Sequence, residues 1–468
     1  MVFSSAVFLL FFLPVAFAAE RLVKPIRAKN IVLTVLSLLF YAYGEPVFAL
    51  FLVFSALLHH LAGVYAKKKE RYPAALLACL IVFDVATLIV FKYMGFFTEL
   101  LNALPGLSLP VPQIRLPIGI SFFTFQLMSY AIDGYRDTRQ LSSSFGDTLL
   151  YVSFFPQLIA GPVVKYHDVA VAIRHRRTDP RNTARGMRRF VFGLSKKLLL
   201  ANTMAIVADA VYALPAGDLS TPAVWLGALA YAMQIYYDFS GYSDMAIGLA
   251  RMFGFHLREN FDHPYAAVGI TDFWRKWHIS VTDWFREYVY IPLGGNRKGR
   301  LRAELNAFVV FLLTGLWHGA NLTFVVWGLY NWFFRTLETV GALPVRKSRR
   351  LRPLWWIYTF VVTLFGFVIF RAESLSQAWL FFLRAFGIGG VGHDPAAALG
   401  WLTPSFVCCL ILCFLFMLPW TRLNRKLDAM PKSGVLRAAS YLLAAALFLL
   451  CIVVCVTGTY DPFIYFNF

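Results

Sequence analysis

The chain has 468 residues, of which 59% are hydrophobic and only 15% charged, and its mean hydropathy is +0.63. A soluble domain carries about 25% charged residues, so this composition excludes a soluble globular protein and reads as a polytopic membrane protein. The formal net charge of +19 invites a nucleic-acid partner, but Lys and Arg cluster in loops that alternate with nearly uncharged ones, as the positive-inside rule demands, and no nucleic acid is expected.

With about 20 apolar residues needed per crossing, the length leaves room for roughly ten to twelve spans. Residues 2–19 read as a retained first helix with its N-terminus outside, because no Lys or Arg precedes Glu20 while Arg21, Lys24, Arg27 and Lys29 follow. A secretory signal has the opposite order. Hydropathy then predicts helices near 30–45, 46–66, 74–98 and 117–133. Residues 147–164 are apolar yet have basic loops on both sides, Arg136 and Arg139 before and Lys165 to Arg189 after. A re-entrant segment broken at Pro156, Gly161 and Pro162 resolves that conflict, and such backbone is tolerated only inside protein or along a wet cavity.

Further crossings are predicted at 190–212, 223–250, 303–320, 322–342, 354–370, 403–420 and 438–458, with 374–388 as an outside interfacial helix carrying Arg384 among Trp379, Phe381 and Phe382. The count is twelve, with both termini outside. The basic clusters are Lys67 to Lys69, Arg136 to Arg189, Arg251 to Arg302, Arg346 to Arg352 and Arg422 to Arg437. Loops near Glu45, 99–116, 213–222 and 389–402 are almost free of Lys and Arg. No composition break, linker or internal repeat is evident, so residues 1–468 read as a single membrane domain with its motifs at about 117–342. The lack of a repeat also weakens a transporter built from duplicated halves.

The cytoplasmic stretch 251–302 differs in kind. Its run from Phe273 through Gly295 interleaves aromatics and cations too closely for a hydrocarbon span and too apolarly for a free loop. Helices in the interface, or lining a cytosolic vestibule, fit this pattern, and a plain membrane anchor is the simpler reading. The six cysteines, Cys79, Cys408, Cys409, Cys413, Cys451 and Cys455, all lie in apolar runs without ligand-like spacing. They read as small hydrophobes, with no structural disulfide or metal site expected.

Two histidines stand out. His318 follows Phe311-Leu312-Leu313-Thr314-Gly315-Leu316-Trp317 and precedes Gly319-Ala320. An ionisable side chain in such a stretch marks a functional site by default, and loss of hydration favours the neutral ring, which can accept a proton. Gly315, Gly319 and Ala320 would let a helix or a substrate approach closely. The plainer reading is a histidine pinning two helices together. His278 lies in the aromatic-basic stretch, and sequence alone does not show that the two meet. A third polar cluster, Tyr236 to Asp244, would align Asp238 with Tyr242 and Ser240 with Asp244 on a helix. Two carboxylates in an apolar stretch need partners or a wet cavity, so this cluster either supports a site or locks helices. With no nucleophile elbow, P-loop or metal-ligand array, a histidine base acting on a hydroxyl is the simplest chemistry.

These motifs resemble the membrane-bound O-acyltransferases, and within them the bacterial alginate O-acetyltransferase type. The matching pieces are Gly119 to Phe125, Phe154 to Pro162, Tyr237 to Asp244, Phe273 to Ser280, Tyr290 to Gly295, Gly315 to Ala320 and Tyr460 to Phe466. The resemblance implies an all-α bundle of about 11–12 transmembrane helices, with re-entrant and interfacial helices around a central tunnel. It implies a bacterial inner-membrane O-acetyltransferase that moves acetyl from a cytosolic donor to an extracytoplasmic polysaccharide such as alginate. Acetyl-CoA is the expected donor substrate rather than a bound cofactor, and extracytoplasmic acetyltransferase partners would complete the transfer.

The family's essential histidine maps onto His318 and its second onto His278. On this reading His318 activates the acceptor or relays the acyl group. His278, Trp274, Arg275 and Lys276 shape the inner donor entrance, where cations suit phosphates. Asp238, Ser240, Asp244, Trp317 and Asn321 would line the path. The alternatives are D-alanyl transfer to teichoic acid, acetylation of peptidoglycan or cellulose, and a transporter or export channel without chemistry.

Overall fold

The computed structural model describes residues 1–159, 161–345, 350–389, 395–419 and 434–458. The regular structure among the described residues is all helical, with no strand. The motif at Tyr460 to Phe466 and Ala160 of the Phe154 motif lie outside them, as do most of the basic clusters at 346–352 and 422–437. Five helices among the described residues are long and apolar enough to cross a membrane: Pro46–Lys68, Ala74–Asn102, Pro180–Tyr212, Arg352–Arg371 and Ala438–Thr457. The hydropathy count of twelve also included shorter or more polar segments. These too are helical, among them Ile26–Ala42 and Ile120–Arg136 at 17 residues each.

The chain forms two compact units, residues 1–190 with 242–259, and residues 191–241 with 260–468. The first begins with α1 (Leu13–Leu22), preceded by a wider turn at Phe8–Phe12, and continues with α2 (Ile26–Ala42), α3 (Pro46–Lys68), α4 (Ala74–Asn102) and α5 (Ile120–Arg136). Its core is aromatic: Phe3, Phe8, Phe40 and Phe155 are fully buried. The segment expected to be re-entrant consists of α6 (Phe145–Ser153) and a one-turn α7 (Phe155–Leu158), separated at Phe154. The break falls at Phe154, two residues before Pro156, which has no N–H to carry the first helix onward and is accommodated in the first turn of α7. The Phe155 amide thus freed donates to Ser37 Oγ of α2 at 3.0 Å. An amide left unpaired in this buried position would cost about 1–3 kcal/mol.

After α8 (Tyr166–His175), helix α9 runs from Pro180 to Tyr212, ten residues longer at its start than hydropathy indicated. Residues 180–190 are helix rather than basic loop because Thr183, Gly186 and Phe190 form a buried stripe at helical spacing, with Arg181 and Arg185 exposed opposite. Arg189, on the same turn, pairs with Asp244 and Glu259. The division between the units falls within α9 and within α10 (Thr221–Met252).

In the second unit, the stretch expected to hold interfacial helices forms two short ones, α11 (Ile270–Trp274) and α12 (Ile279–Phe285), and much of it is buried. Trp277, His278, Val281 and Trp284 are each at most 3% exposed. The pattern of alternating aromatics therefore marks a packed inner segment, not a plain surface anchor. Its start is fixed by Glu338, whose carboxylate accepts the amides of Ile270 at 2.6 Å and Thr271 at 3.1 Å. A carboxylate at a helix N-terminus satisfies otherwise orphaned amides and complements the helix dipole.

Helices α13 (Arg300–His318) and α14 (Leu322–Val340) form a close antiparallel pair. Gly315 and Gly328 face each other at the crossing, where a Cβ built on Gly315 lies 3.5 Å from the Gly328 Cα. That Cβ would also collide with the Phe324 carbonyl oxygen, and one on Gly328 with the Phe311 carbonyl oxygen. The close approach expected of the small residues beside His318 is thus made by a neighbouring helix. At the far end, Glu304 of α13 pairs with Arg335 of α14 at 2.5 Å and accepts from Thr336 at 2.9 Å. The unit is completed by α15 (Arg352–Arg371), α16 (Leu375–Ala385), α17 (Pro404–Met417) and α18 (Gly434–Thr457). None of the six cysteines is in a disulfide; Cys413 and Cys451 are buried, whereas Cys79 and Cys408 are exposed.

Candidate active site

His278 sits just before α12 with left-handed backbone, φ 47°. That conformation turns the chain sharply out of α11 and lets the His278 carbonyl accept the amides of Val281 at 3.1 Å and Thr282 at 3.0 Å. The imidazole is 2% exposed. Phe239 of α10 meets it edge-on, with ring centroids 4.5 Å apart, and Phe261 lies nearly parallel at 6.5 Å. Nδ1 is 3.3 Å from Asn260 Oδ1. Burial lowers the pKa of His278 to about 3, so the ring is uncharged at pH 7.

His318 ends α13 and is 4% exposed. Its ring is enclosed by Trp317 at 4.8 Å, Trp327 of α14 at 5.0 Å and Phe370 of α15 at 5.1 Å, the latter two nearly perpendicular to it. Trp317 also contacts His278, at 5.7 Å between centroids. A single indole therefore touches both imidazoles, and the two histidines belong to one aromatic cluster. Such an enclosure excludes water and strengthens electrostatic interactions inside it.

Trp274 belongs to the same cluster, packing on Trp327 at 5.6 Å and donating from Nε1 to Asn331 Oδ1 at 3.3 Å. Arg275 next to it is exposed, while Lys276 is paired with Asp272 at 3.1 Å. Of the two cations expected near a donor, one therefore already has an anionic partner. Asn321 caps α14, its Oδ1 accepting from the Thr323 amide at 3.0 Å and its Nδ2 donating to the Glu373 carbonyl at 3.1 Å. Both ends of its amide hold the turn after His318 in place.

The acidic cluster divides. Asp238 forms a buried ion pair with Lys197 of α9 at 3.1 Å, and Ser240 is 3% exposed on the same helix. Asp244 belongs to the other compact unit, where Arg189 holds it at 2.8 Å. The residues that sequence reasoning did not single out are Asn260, Lys197, Trp327, Asn331 and Phe370. Lys197, a cation within an apolar helix, carried a usable signal. The others are recognisable only by what they touch.

A model of the membrane-bound O-acyltransferase family matches residues 136–376, just over half of the chain, a range that includes the whole histidine cluster. The chain belongs to the membrane-bound O-acyltransferase family. It is 41% identical to the probable alginate O-acetylase AlgI of Azotobacter vinelandii over 400 residues, covering 83% of this chain and 79% of that protein. It is likewise 41% identical to the protein of that name from Pseudomonas aeruginosa, over 83% of this chain and 75% of that one. The peptidoglycan O-acetyltransferase of Helicobacter pylori is 34% identical over 84% of this chain and 81% of its own length. This O-acyltransferase is therefore a multi-pass membrane enzyme, and its histidine cluster lies inside the region that defines the family.

Proposed function

We propose that the enzyme takes acetyl from acetyl-CoA on the cytosolic side of the bacterial inner membrane and delivers it for O-acetylation of an extracytoplasmic polysaccharide, with alginate as the acceptor polymer. The observation that carries this reading is His318, an imidazole enclosed by Trp317, Trp327 and Phe370 and joined through Trp317 to His278. The 41% identity to alginate O-acetylases supports the acceptor. The 34% identity to a peptidoglycan O-acetyltransferase makes that glycan the second acceptor to test.

In this mechanism His318 removes the proton from the acceptor hydroxyl as its oxygen attacks the thioester carbonyl. The carbon–sulfur bond breaks, a carbon–oxygen bond forms, and the proton passes from His318 to the departing thiolate. His278, uncharged, accepts a hydrogen bond within the same enclosure. Arg275 contributes positive charge for the donor's phosphates. Extracytoplasmic partner proteins complete delivery to the polymer. The single membrane domain spans both compact units, in keeping with the family match across them.

The test supplies inner-membrane vesicles with labelled acetyl-CoA and follows label into alginate and into peptidoglycan. His318→Ala is expected to reduce transfer at least a hundredfold, in line with the loss of a general base. Full transfer by a properly inserted His318→Ala protein would sink the mechanism. Label in peptidoglycan alone would replace the acceptor.

A further inference from the structure

We propose that Asn260 is a positioning residue that fixes the hydrogen of His278 on Nδ1 and thereby makes Nε2 the proton-accepting atom of the ring. The inference rests on the reading that His278 takes part in acetyl transfer. The assignment starts from Ser280. Its backbone amide donates to the side chain of Asn260 at 3.1 Å. A backbone amide can only donate, so the receiving atom is the amide oxygen and not the nitrogen. Ser280 Oγ lies 2.9 Å from that same oxygen. His278 Nδ1 faces it at 3.3 Å. An oxygen meets Nδ1 favourably only when Nδ1 carries a hydrogen. In an uncharged imidazole with its hydrogen on Nδ1, the lone pair is on Nε2.

The surrounding backbone holds the arrangement. The Asn260 carbonyl accepts the Ile279 amide at 2.9 Å, and the Asp262 amide donates to the Lys276 carbonyl at 3.0 Å. The stretch of chain around Phe261 is thereby laced to both sides of the left-handed turn at His278. Asn260 is 1% exposed, so water does not substitute for its oxygen. An amide suits the task better than a carboxylate. It orients the ring without stabilising the imidazolium, whereas an Asp at this place would raise the ring's affinity for a proton.

The packing around His278 makes that distinction measurable. Phe239, Phe261 and Trp317 lie against the ring, and burial is what holds its pKa low. Of the titratable neighbours, His318 shares Trp317 with it, and Asp238, beside Phe239, is held by Lys197. A carboxylate introduced at position 260 would therefore act directly on His278.

The experiment compares Asn260→Asp, Asn260→Ala and His278→Asn in membrane vesicles. It measures acetyl transfer across pH and checks the folded state by unfolding temperature in detergent. Asn260→Asp keeps an acceptor for Ser280 and is expected to transfer acetyl at high pH while gaining an acid limb at least one pH unit above any in the parent. Asn260→Ala is expected to lose at least tenfold in rate. A folded Asn260→Asp enzyme with the parent's pH profile and rate overturns the proposal, and it alone decides if Asn260→Ala does not fold. If His278→Asn transfers acetyl at the parent rate, the role of His278 itself fails. If His278→Asn is impaired while Asn260→Asp behaves as the parent, only the positioning role fails.

Discussion

The pair Lys197–Asp238 decides between the two readings of the acidic cluster, as a support for the site or as a lock between helices. The charges are 3.1 Å apart and their side chains 5% and 2% exposed. At an effective dielectric of about 20, two unit charges at that separation attract by roughly 5 kcal/mol. Desolvation costs several kcal/mol per ion, so the intact pair contributes little net stability. Removing one partner is different, because the other charge stays buried. Lys197→Met is expected to lower stability by about 3–5 kcal/mol, as is typical of a broken buried pair. Lys197→Met combined with Asp238→Leu is expected to recover most of that loss, giving a coupling energy of at least about 2 kcal/mol in a double-mutant cycle. Denaturant unfolding in detergent micelles reads the stabilities, and acetyl transfer per folded molecule reads the chemistry. A lock predicts that the double variant keeps its transfer rate. A single variant within about 0.5 kcal/mol of the parent, the range of ordinary surface substitutions, would refute the buried-pair reasoning.

Gly328→Ala would force α13 and α14 apart by about 1 Å to restore an ordinary contact of about 3.5 Å at the Phe311 carbonyl. A displacement of that size beside His318 is expected to reduce acetyl transfer roughly a hundredfold, and a parent-like rate in the folded variant would show that the crossing does not set the histidine's position. His167 gives a pH-dependent prediction. Its hydrogen bond to Asp133 raises its pKa above 6.5 against the opposing effect of burial, with the charge of Asp168 adding to the rise. A raised histidine stabilises the fold fully below its unfolded pKa, and that contribution disappears as pH climbs through the folded value. The unfolding temperature should therefore fall from about pH 6.5 upward, and His167→Gln should flatten that decline.

Much of the fold was legible because apolar runs and their interruptions act locally. Pro156 forecast the break in the re-entrant stretch, and Gly315 and Gly319 forecast a close approach at His318. The misread segment was 180–190, where four arginines dominated the composition while the buried stripe of Thr183, Gly186 and Phe190 needed helical phase to be seen. Both histidines of the proposed site stood out, since an imidazole in an apolar or aromatic setting is conspicuous without any partner. Asn260 was not, because it lies 18 residues before His278 and its role comes from a tertiary contact. The role of Lys197 was hidden in a similar way. It lies inside the predicted crossing 190–212, but its partner Asp238 is on another helix, so the pairing comes only from the tertiary fold.

The left-handed backbone of His278 also governs which replacement there can be interpreted. Alanine at φ 47° would carry a conformational penalty of its own, since residues with a Cβ enter this region reluctantly. A poor alanine variant could therefore report a disturbed turn instead of a missing imidazole. Glycine would accept the dihedral but loosen the chain between α11 and α12. Asparagine enters the left-handed region more readily than most residues with a side chain, so it removes the ring while leaving the turn intact. The backbone thus names the proper control for its own side chain, and His263, which shares the same dihedral, calls for the same one.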